Sequence, residues 1–402
     1  MQQQQQKKYN SSSNTPINTP PIEETLRGFE WFTYMRANSP VVYDQQLNIW
    51  HVFRYDDVYQ VITDHHTFSS ADVPNFSQNN FLKDTIVAQD PPDHRRLRQL
   101  TNQAFTRRAI ISMTESIRQL TQELLDQLIP LGTMDIVSDL AFPLTCNLIA
   151  AMLEIPIQDR RLVYRWVKGV DSNTPLLSRE DVIKSHNRMG QELYDYIAHI
   201  LEKRRREPCE GFISALSTAM SNNAGLSDDE LLKFCVLLLV AGQETVQNLI
   251  TNAIYCFTKY PQSRDHLLQQ PEHMPEAIEE ILRYLPPFWV TVRRTTVDAV
   301  VGGKSIPANM IINAWNASAN HDGQYFADPE HFDIRRDAKR HLSFGHGIHF
   351  CLGAPLARME ANIILPMLCK QLKNFRRIPD RSPDITAGPL HQILSLPIMF
   401  EA

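Results

Sequence analysis

The sequence predicts a mainly α protein, a large helical domain with a small β-rich region. Two observations carry this. From about residue 90 onward apolar residues recur at helical spacing, whereas strand-like stretches are few and short. No stretch in that span has the composition of an interdomain linker, and no internal repeat is visible, so residues 22–402 are expected to form a single domain.

The chain opens with MQQQQQKKYNSSSNTPINTPP, polar and low in complexity, which reads as a flexible tail over residues 1–21. It contains no apolar segment suited to a signal peptide or an anchor. Strand candidates are Val41–Tyr43, Trp50–Phe53, Val290–Arg293, Met310–Ala314 and Pro397–Phe400.

The segment LSDDELLKFCVLLLVAGQETVQNLITNAIYCFTKYP predicts a long helix. Ser227 and, three residues on, Glu230 form a capping box, and no proline follows until Pro261. Thirty residues of helix span on the order of 45 Å, so this element should cross the molecule. Apolar nearly all round from Phe234 to Ala241, it belongs in the core. That run is far shorter than the roughly 20 residues a bilayer crossing needs, and a cytoplasmic protein without a membrane anchor is expected.

A second helix follows Cys351 in LGAPLARMEANIILPMLCKQLKNF. Leu352, Leu356, Met359, Ile363 and Met367 give one apolar stripe; Pro355 suits a first turn and Pro366 should bend the helix later.

Composition excludes several functions. With 40 Lys+Arg against 45 Asp+Glu the net charge is −5, which argues against general nucleic-acid binding. The six cysteines (146, 209, 235, 256, 351 and 369) include no CxxC pair, so neither a zinc cage nor a disulfide framework is expected. Most read as small buried hydrophobes.

Cys351 is different. It lies in SFGHGIHFCLG at a helix start, where free N–H groups and partial positive charge favour thiolate. Gly345, Gly347 and Gly353 permit unusual backbone conformations that turn N–H groups toward the sulfur. By itself the loop suits a nucleophile, a redox sensor, a single metal ligand or a structural cysteine.

Written as F-G-x-G-x-H-x-C-x-G-x-x-L-A, the loop is filled at every specified position by Phe344, Gly345, Gly347, His349, Cys351, Gly353, Leu356 and Ala357. It resembles the haem-binding signature of the cytochrome P450 family. AGQET (Ala241–Thr245) resembles that family's [AG]-G-x-[DE]-T segment, and EILR (Glu280–Arg283) its E-x-x-R motif. DPPDHRRLRQLTNQAF is similar to its His/Arg segment, and FADPEHFDIRR to the irregular stretch before the cysteine loop. The resemblance runs from about residue 30 to the C-terminus.

The resemblance implies the P450 fold, with haem b between the central helix and the cysteine loop. It makes Cys351 the thiolate ligand of iron and His94, Arg98, Arg293 and His349 the partners of the haem propionates; the adjacent Arg294 leaves the register of Arg293 open. It assigns Glu280–Arg283 to structural support. Spacing alone allows Glu279 as an equal partner of Arg283. Glu244 and Thr245 supply an acid and a hydroxyl for proton delivery, although "ET" in a helix is by itself only a polar face. Gly242, beside Ala241, leaves a notch for oxygen, and Val246 stands where many relatives carry a second hydroxyl.

The implied activity is that of a monooxygenase using O2 and electrons from NAD(P)H through a ferredoxin- or flavodoxin-type donor. Arg95, Arg96, Arg107, Arg108, Arg335, Arg336, Lys339, Arg340 and Arg358 would form a basic proximal face for that donor. The expected pocket walls, Phe76, Phe81, Ile86, Val87, Leu237, Val240, Ala241, Phe288, Trp289, Val290, Ile393 and Leu394, are apolar. They suit a lipophilic substrate such as a steroid, terpenoid, fatty acid or macrolide, and each could equally be core. A monomer is expected. The competing readings are a hydrogen-peroxide-dependent peroxygenase, which would not need Glu244–Thr245, and a non-catalytic haem sensor.

Overall fold

The computed structural model describes residues 28–401 apart from 72, 74–81, 104, 171–178, 208–212, 214–225 and 387–391. The tail expected over residues 1–21, and Phe76 and Phe81, lie outside the described residues.

The long helix forms as expected, over Asp228–Lys259, and its capping box is complete: Ser227 Oγ accepts from Glu230 N–H at 3.2 Å and Glu230 Oε2 from Ser227 N–H at 2.8 Å. By length and composition it could cross a membrane, yet 67% of its most apolar window is buried by the rest of the fold. Residues 246–257 are buried without exception. Its first half packs with helices Phe142–Met152, Arg160–Val170 and Arg179–Arg206; its second half packs with Met274–Tyr284 and Ala354–Gln371. These two apolar clusters are the two ends of one helical core.

All five expected strands are present, with boundaries within two residues. In chain order, β1 (Val41–Asp44), β2 (Ile49–Val52), β3 (Phe68–Ser69), β4 (Thr133–Asp135), β5 (Val290–Thr295), β6 (Ala299–Val301), β7 (Lys304–Ile306), β8 (Ile311–Trp315), β9 (Lys373–Arg377), β10 (Asp384–Thr386), β11 (Gln392–Ser395) and β12 (Pro397–Glu401) build four small sheets. The largest has the order β1-β2-β8-β5-β3. Among the described residues only β2 and β8 pair in parallel, with Val52 opposite Ala314, so this sheet closes across most of the chain. β4 and β9, short and polar, become strands by pairing with the apolar β12.

The helix after the cysteine loop, Ala354–Gln371, corrects one expectation. Its most buried positions are Ala361, Ile364, Leu365 and Leu368. The stripe Leu352, Leu356, Met359, Ile363 and Met367 is only half-buried, with the first two against one cluster and the last three against the other. A helix wedged between two clusters buries the ridge between them most deeply.

Candidate active site

The cysteine loop is closed by its own backbone. Gly345 N–H donates to Leu342 O and Cys351 N–H to Phe344 O, each at 2.9 Å. Gly345 and Gly347 have φ of +66° and +71°, in the left-handed region that favours glycine. Gly347 also lies against helix Tyr55–Thr63, where an added Cβ would stand 3.2 Å from Thr63 Cα. Gly353 departs from expectation: its φ of −81° is ordinary, and a Cβ there would meet Cys351 Sγ at 3.9 Å. What residue 353 contributes is its N–H, which with that of Ala354 points at the sulfur.

The expected bias toward thiolate is corrected as well. Burial is the largest influence on Cys351 and raises the thiol above its ordinary value, outweighing both N–H groups and the Arg98 and Arg358 charges. A metal ion coordinated by this sulfur would favour its deprotonation.

Beneath the loop, Glu280 and Arg283 are both at 0% exposure and joined in a fork, Nε to Oε2 at 2.7 Å and Nη2 to Oε1 at 2.8 Å. Arg283 Nη1 also donates to the carbonyls of Asn320 and Pro329, at 2.9 Å each. Glu280 Oε1 accepts from Asp333 N–H at 3.0 Å and Arg336 Nε at 3.2 Å. The pair thereby holds the irregular segment 320–336 to helix Met274–Tyr284.

Glu279 takes other partners, Arg358 at 2.7 and 2.8 Å and His341 at 3.2 Å. Burial works to raise its pKa, but these donors more than offset it and lower the carboxyl to about 2. Arg358 also lies 4.5 Å over the Phe344 ring, so this second clamp reaches the cysteine loop itself. Sequence reasoning missed it, although Glu279 was visible as an alternative acid beside the motif.

His94, on helix Asp93–Asn102, and His349, in the turn Gly347–His349, bring their rings within 4.3 Å. The Nε2 atoms of both are buried without a hydrogen-bond partner among the described residues. Burial, then the Arg98 charge, lowers His94 to about 4; burial, then the Arg293 charge, lowers His349 to about 2. Arg293 on β5 is itself buried, its guanidinium donating to its own neighbour's carbonyl, Val292 O, at 2.9 Å. Desolvation takes it down to about 10. Arg294 is half-buried, which resolves the register in favour of Arg293 as the buried arginine. The nearby carboxylate, Asp90, is engaged by Ser69 Oγ and Ser70 N–H. The buried Arg293, the half-buried Arg98 and two imidazoles with orphaned buried nitrogens form a cradle suited to a ligand bearing carboxylates, which is the chemistry of haem propionates.

On the central helix, accessible positions cluster at Val240, Ala241, Gly242, Glu244 and Thr245, flanked by buried residues. Thr245 Oγ1 donates to Ala241 O at 2.7 Å, and the helix is continuous α through this point without a π-turn. Glu244 Oε1 accepts from Gln392 Nε2 on β11, a partner that sequence reasoning did not anticipate. At Gly242 an added Cβ would stand 3.3 Å from Ile149 Cδ1, so its missing side chain also lets helix Phe142–Met152 approach. Val246 is buried in the core and does not share the accessible patch.

Among the expected pocket residues, Ile86, Leu237, Trp289, Val290 and Ile393 are core, with Trp289 packed on Phe32 at 5.5 Å. Val87, Val240, Phe288 and Leu394 are half-buried and Ala241 exposed, as wall residues would be. The expected basic face is also thinner than the sequence count. Arg96 pairs with Glu230, Arg358 with Glu279, Arg336 with Glu280 and Arg335 with Asp333. Arg95, Arg107, Arg108, Lys339 and Arg340 are exposed and without a carboxylate partner among the described residues.

A fold of this kind around a half-buried cysteine turn and a cationic cradle defines a haem-thiolate enzyme, and comparison with known proteins agrees. The family model described as Cytochrome P450 matches residues 38–399. Cytochrome P450 109 of Bacillus spizizenii is 38% identical over 352 residues, 86% of this chain and 84% of that one. Erythromycin C-12 hydroxylase of Saccharopolyspora erythraea is 36% identical over 356 residues, 86% of this chain and 87% of the relative. The crystal structure of CYP109E1 from Bacillus megaterium, in complex with corticosterone, superposes with a TM-score of 0.88 at 35% identity, covering 94% of this chain and 100% of that one. The chain belongs to the cytochrome P450 family, as a monooxygenase of the bacterial type.

Proposed function

We propose that Cys351 would supply the thiolate that holds a haem b, that His94, Arg98, Arg293 and His349 would hold its propionates, and that the enzyme hydroxylates a lipophilic small molecule. The observation that carries this is the cradle itself: two orphaned imidazole nitrogens and two arginines, meeting beside the Cys351 turn. When bound, the haem supplies the oxidation, thiolate ligation favouring O–O cleavage at the iron.

The chain's own residues position, shield and supply protons. The N–H groups of Gly353 and Ala354 stabilise the anionic sulfur. Glu280–Arg283 and Glu279–Arg358 keep the segment bearing Cys351 from shifting. Glu244 provides the proton at its carboxyl group and Thr245 a hydroxyl one residue on. Electrons come from NAD(P)H through a ferredoxin- or flavodoxin-type donor, for which Arg95, Arg107, Arg108, Lys339 and Arg340 are the available positive charges. The half-buried apolar walls support a substrate of the steroid or macrolide class, in line with relatives that bind corticosterone or hydroxylate erythromycin. A cytoplasmic location fits this assignment.

The test is spectroscopic. The reduced carbonyl adduct of the parent protein should have the thiolate-haem spectrum, and Cys351→Ala should lose it. Corticosterone titration, followed by the haem spin-state shift, checks the substrate class. Product formed with hydrogen peroxide but not with a ferredoxin system would replace the monooxygenase cycle by a peroxygenase one.

A further inference from the structure

Gln392 opens β11, is only 5% exposed, and donates its Nε2–H to Glu244 Oε1 across 148 residues of sequence. Its backbone has little freedom: it pairs with Thr386 of β10, and the next residue, Ile393, is buried in the main core cluster. The acceptor is equally fixed, on a helix whose following twelve-residue stretch, 246–257, is wholly buried. Thr245, by contrast, spends its hydroxyl proton on the Ala241 carbonyl within the same helix. Of the acid and the alcohol, the acid is the one bonded to a side chain of another element among the described residues.

We infer that Gln392 is a positioning residue: its amide N–H holds the Glu244 carboxyl group in the orientation from which protons are supplied, so that the C-terminal hairpin governs proton delivery. The inference rests on the reading of Glu244 as the proton-supplying residue. A carboxylate has about four acceptor sites, so the bond at Oε1 does not by itself saturate the group. A proton donor displaced by about 1 Å can cost on the order of 10²-fold in rate.

The consequence is read from where the electrons go. With protons on time, RH + O2 + NADPH + H⁺ gives ROH + H2O + NADP⁺; the O–O and C–H bonds break, and two electrons come from NADPH and two from the C–H bond. With protons misdelivered, O2 + NADPH + H⁺ gives H2O2 + NADP⁺, and the substrate is untouched.

The experiment uses the full-length haem-loaded protein with a [2Fe–2S] ferredoxin, its NADPH-dependent reductase and corticosterone as probe. The quantity measured is the fraction of NADPH electrons recovered as hydrogen peroxide, which is defined whether or not corticosterone is hydroxylated. Gln392→Met keeps length and removes the donor; it should raise the fraction severalfold and enlarge the D2O solvent isotope effect. Gln392→Lys keeps a donor and should stay close to the parent, the opposite of the order a packing role would give. Independently of turnover, amide hydrogen exchange over residues 392–395 should accelerate alike in Gln392→Met and Glu244→Ala, because each cuts the same tether. If Glu244→Gln raises the peroxide fraction but Gln392→Met does not, or if Met and Lys behave alike, the positioning role is wrong. If Glu244→Gln leaves the fraction unchanged, the reading of Glu244 fails, and the inference with it.

Discussion

Arg283→Ala is the substitution from which the structure predicts most. It leaves the Glu280 carboxylate at 0% exposure, with Asp333 N–H at 3.0 Å and Arg336 Nε at 3.2 Å as its remaining donors. Breaking a buried pair from one side costs about 3–5 kcal/mol, and the surviving donors place this case near 3. The carbonyls of Asn320 and Pro329 each lose a donor held at 2.9 Å, at about 1 kcal/mol apiece. The sum is about 5 kcal/mol, a large share of the stability of a typical domain. With an unfolding entropy of about 2.1 cal/mol/K per residue, a chain of 402 residues should melt about 6 °C lower. The assay is thermal unfolding followed by circular dichroism, with haem content measured in parallel. Glu280→Gln combined with Arg283→Ala should cost less than the sum of the two single changes, because no uncompensated charge is left. A single-variant midpoint within about 1 °C of the parent, with full haem content, would show that the fork does not hold segment 320–336 in place.

Three further outcomes follow from particular contacts. Gly347→Ala forces a side chain into a φ of +71° and to 3.2 Å from Thr63 Cα; a loss of about 1–2 kcal/mol or more, seen in urea unfolding, and weaker haem retention are expected, whereas Gly353→Ala, at an ordinary φ of −81°, should be milder. His51 is buried, accepts Trp315 Nε1–H at Nδ1 (3.0 Å) and is lowered by burial to about 4. Because its folded pKa is depressed, the stability it contributes is complete above about pH 6.5 and is lost as the pH falls toward 4, by roughly 3 kcal/mol; His51→Phe should flatten the stability–pH curve between those values relative to the parent. Reduction by a ferredoxin should slow as ionic strength rises, and Arg107→Glu combined with Arg108→Glu should remove most of that dependence; a salt-independent rate in the parent would dismiss the basic face.

Much of the site was legible because its determinants are local. The capping box of Ser227 and Glu230, the two positive-φ glycines of the cysteine loop and the i,i+3 spacing of Glu280 and Arg283 are written within a few residues of one another. The same holds for the strand pairs β2–β8 and β5–β8, whose β-branched runs stand out from helical surroundings. Gln392 was illegible for the converse reason. A glutamine in QILSLPIMF carries no mark of a partner on a helix 148 residues earlier.

The sequence by itself determined the helical class, the central helix and its start, the cysteine turn and, through the combination of motifs, the family. Tertiary structure alone decided that Glu279 meets Arg358 and His341, which arginines of the basic set were already neutralised, and that Gly242 lies close to Ile149. It also reversed the direction expected for Cys351: a helix N-terminus is visible in one dimension, but the burial that outweighs it depends on everything packed around the sulfur. Backbone conformation and capping depend on neighbours in the chain, whereas desolvation and ion pairing depend on neighbours in space.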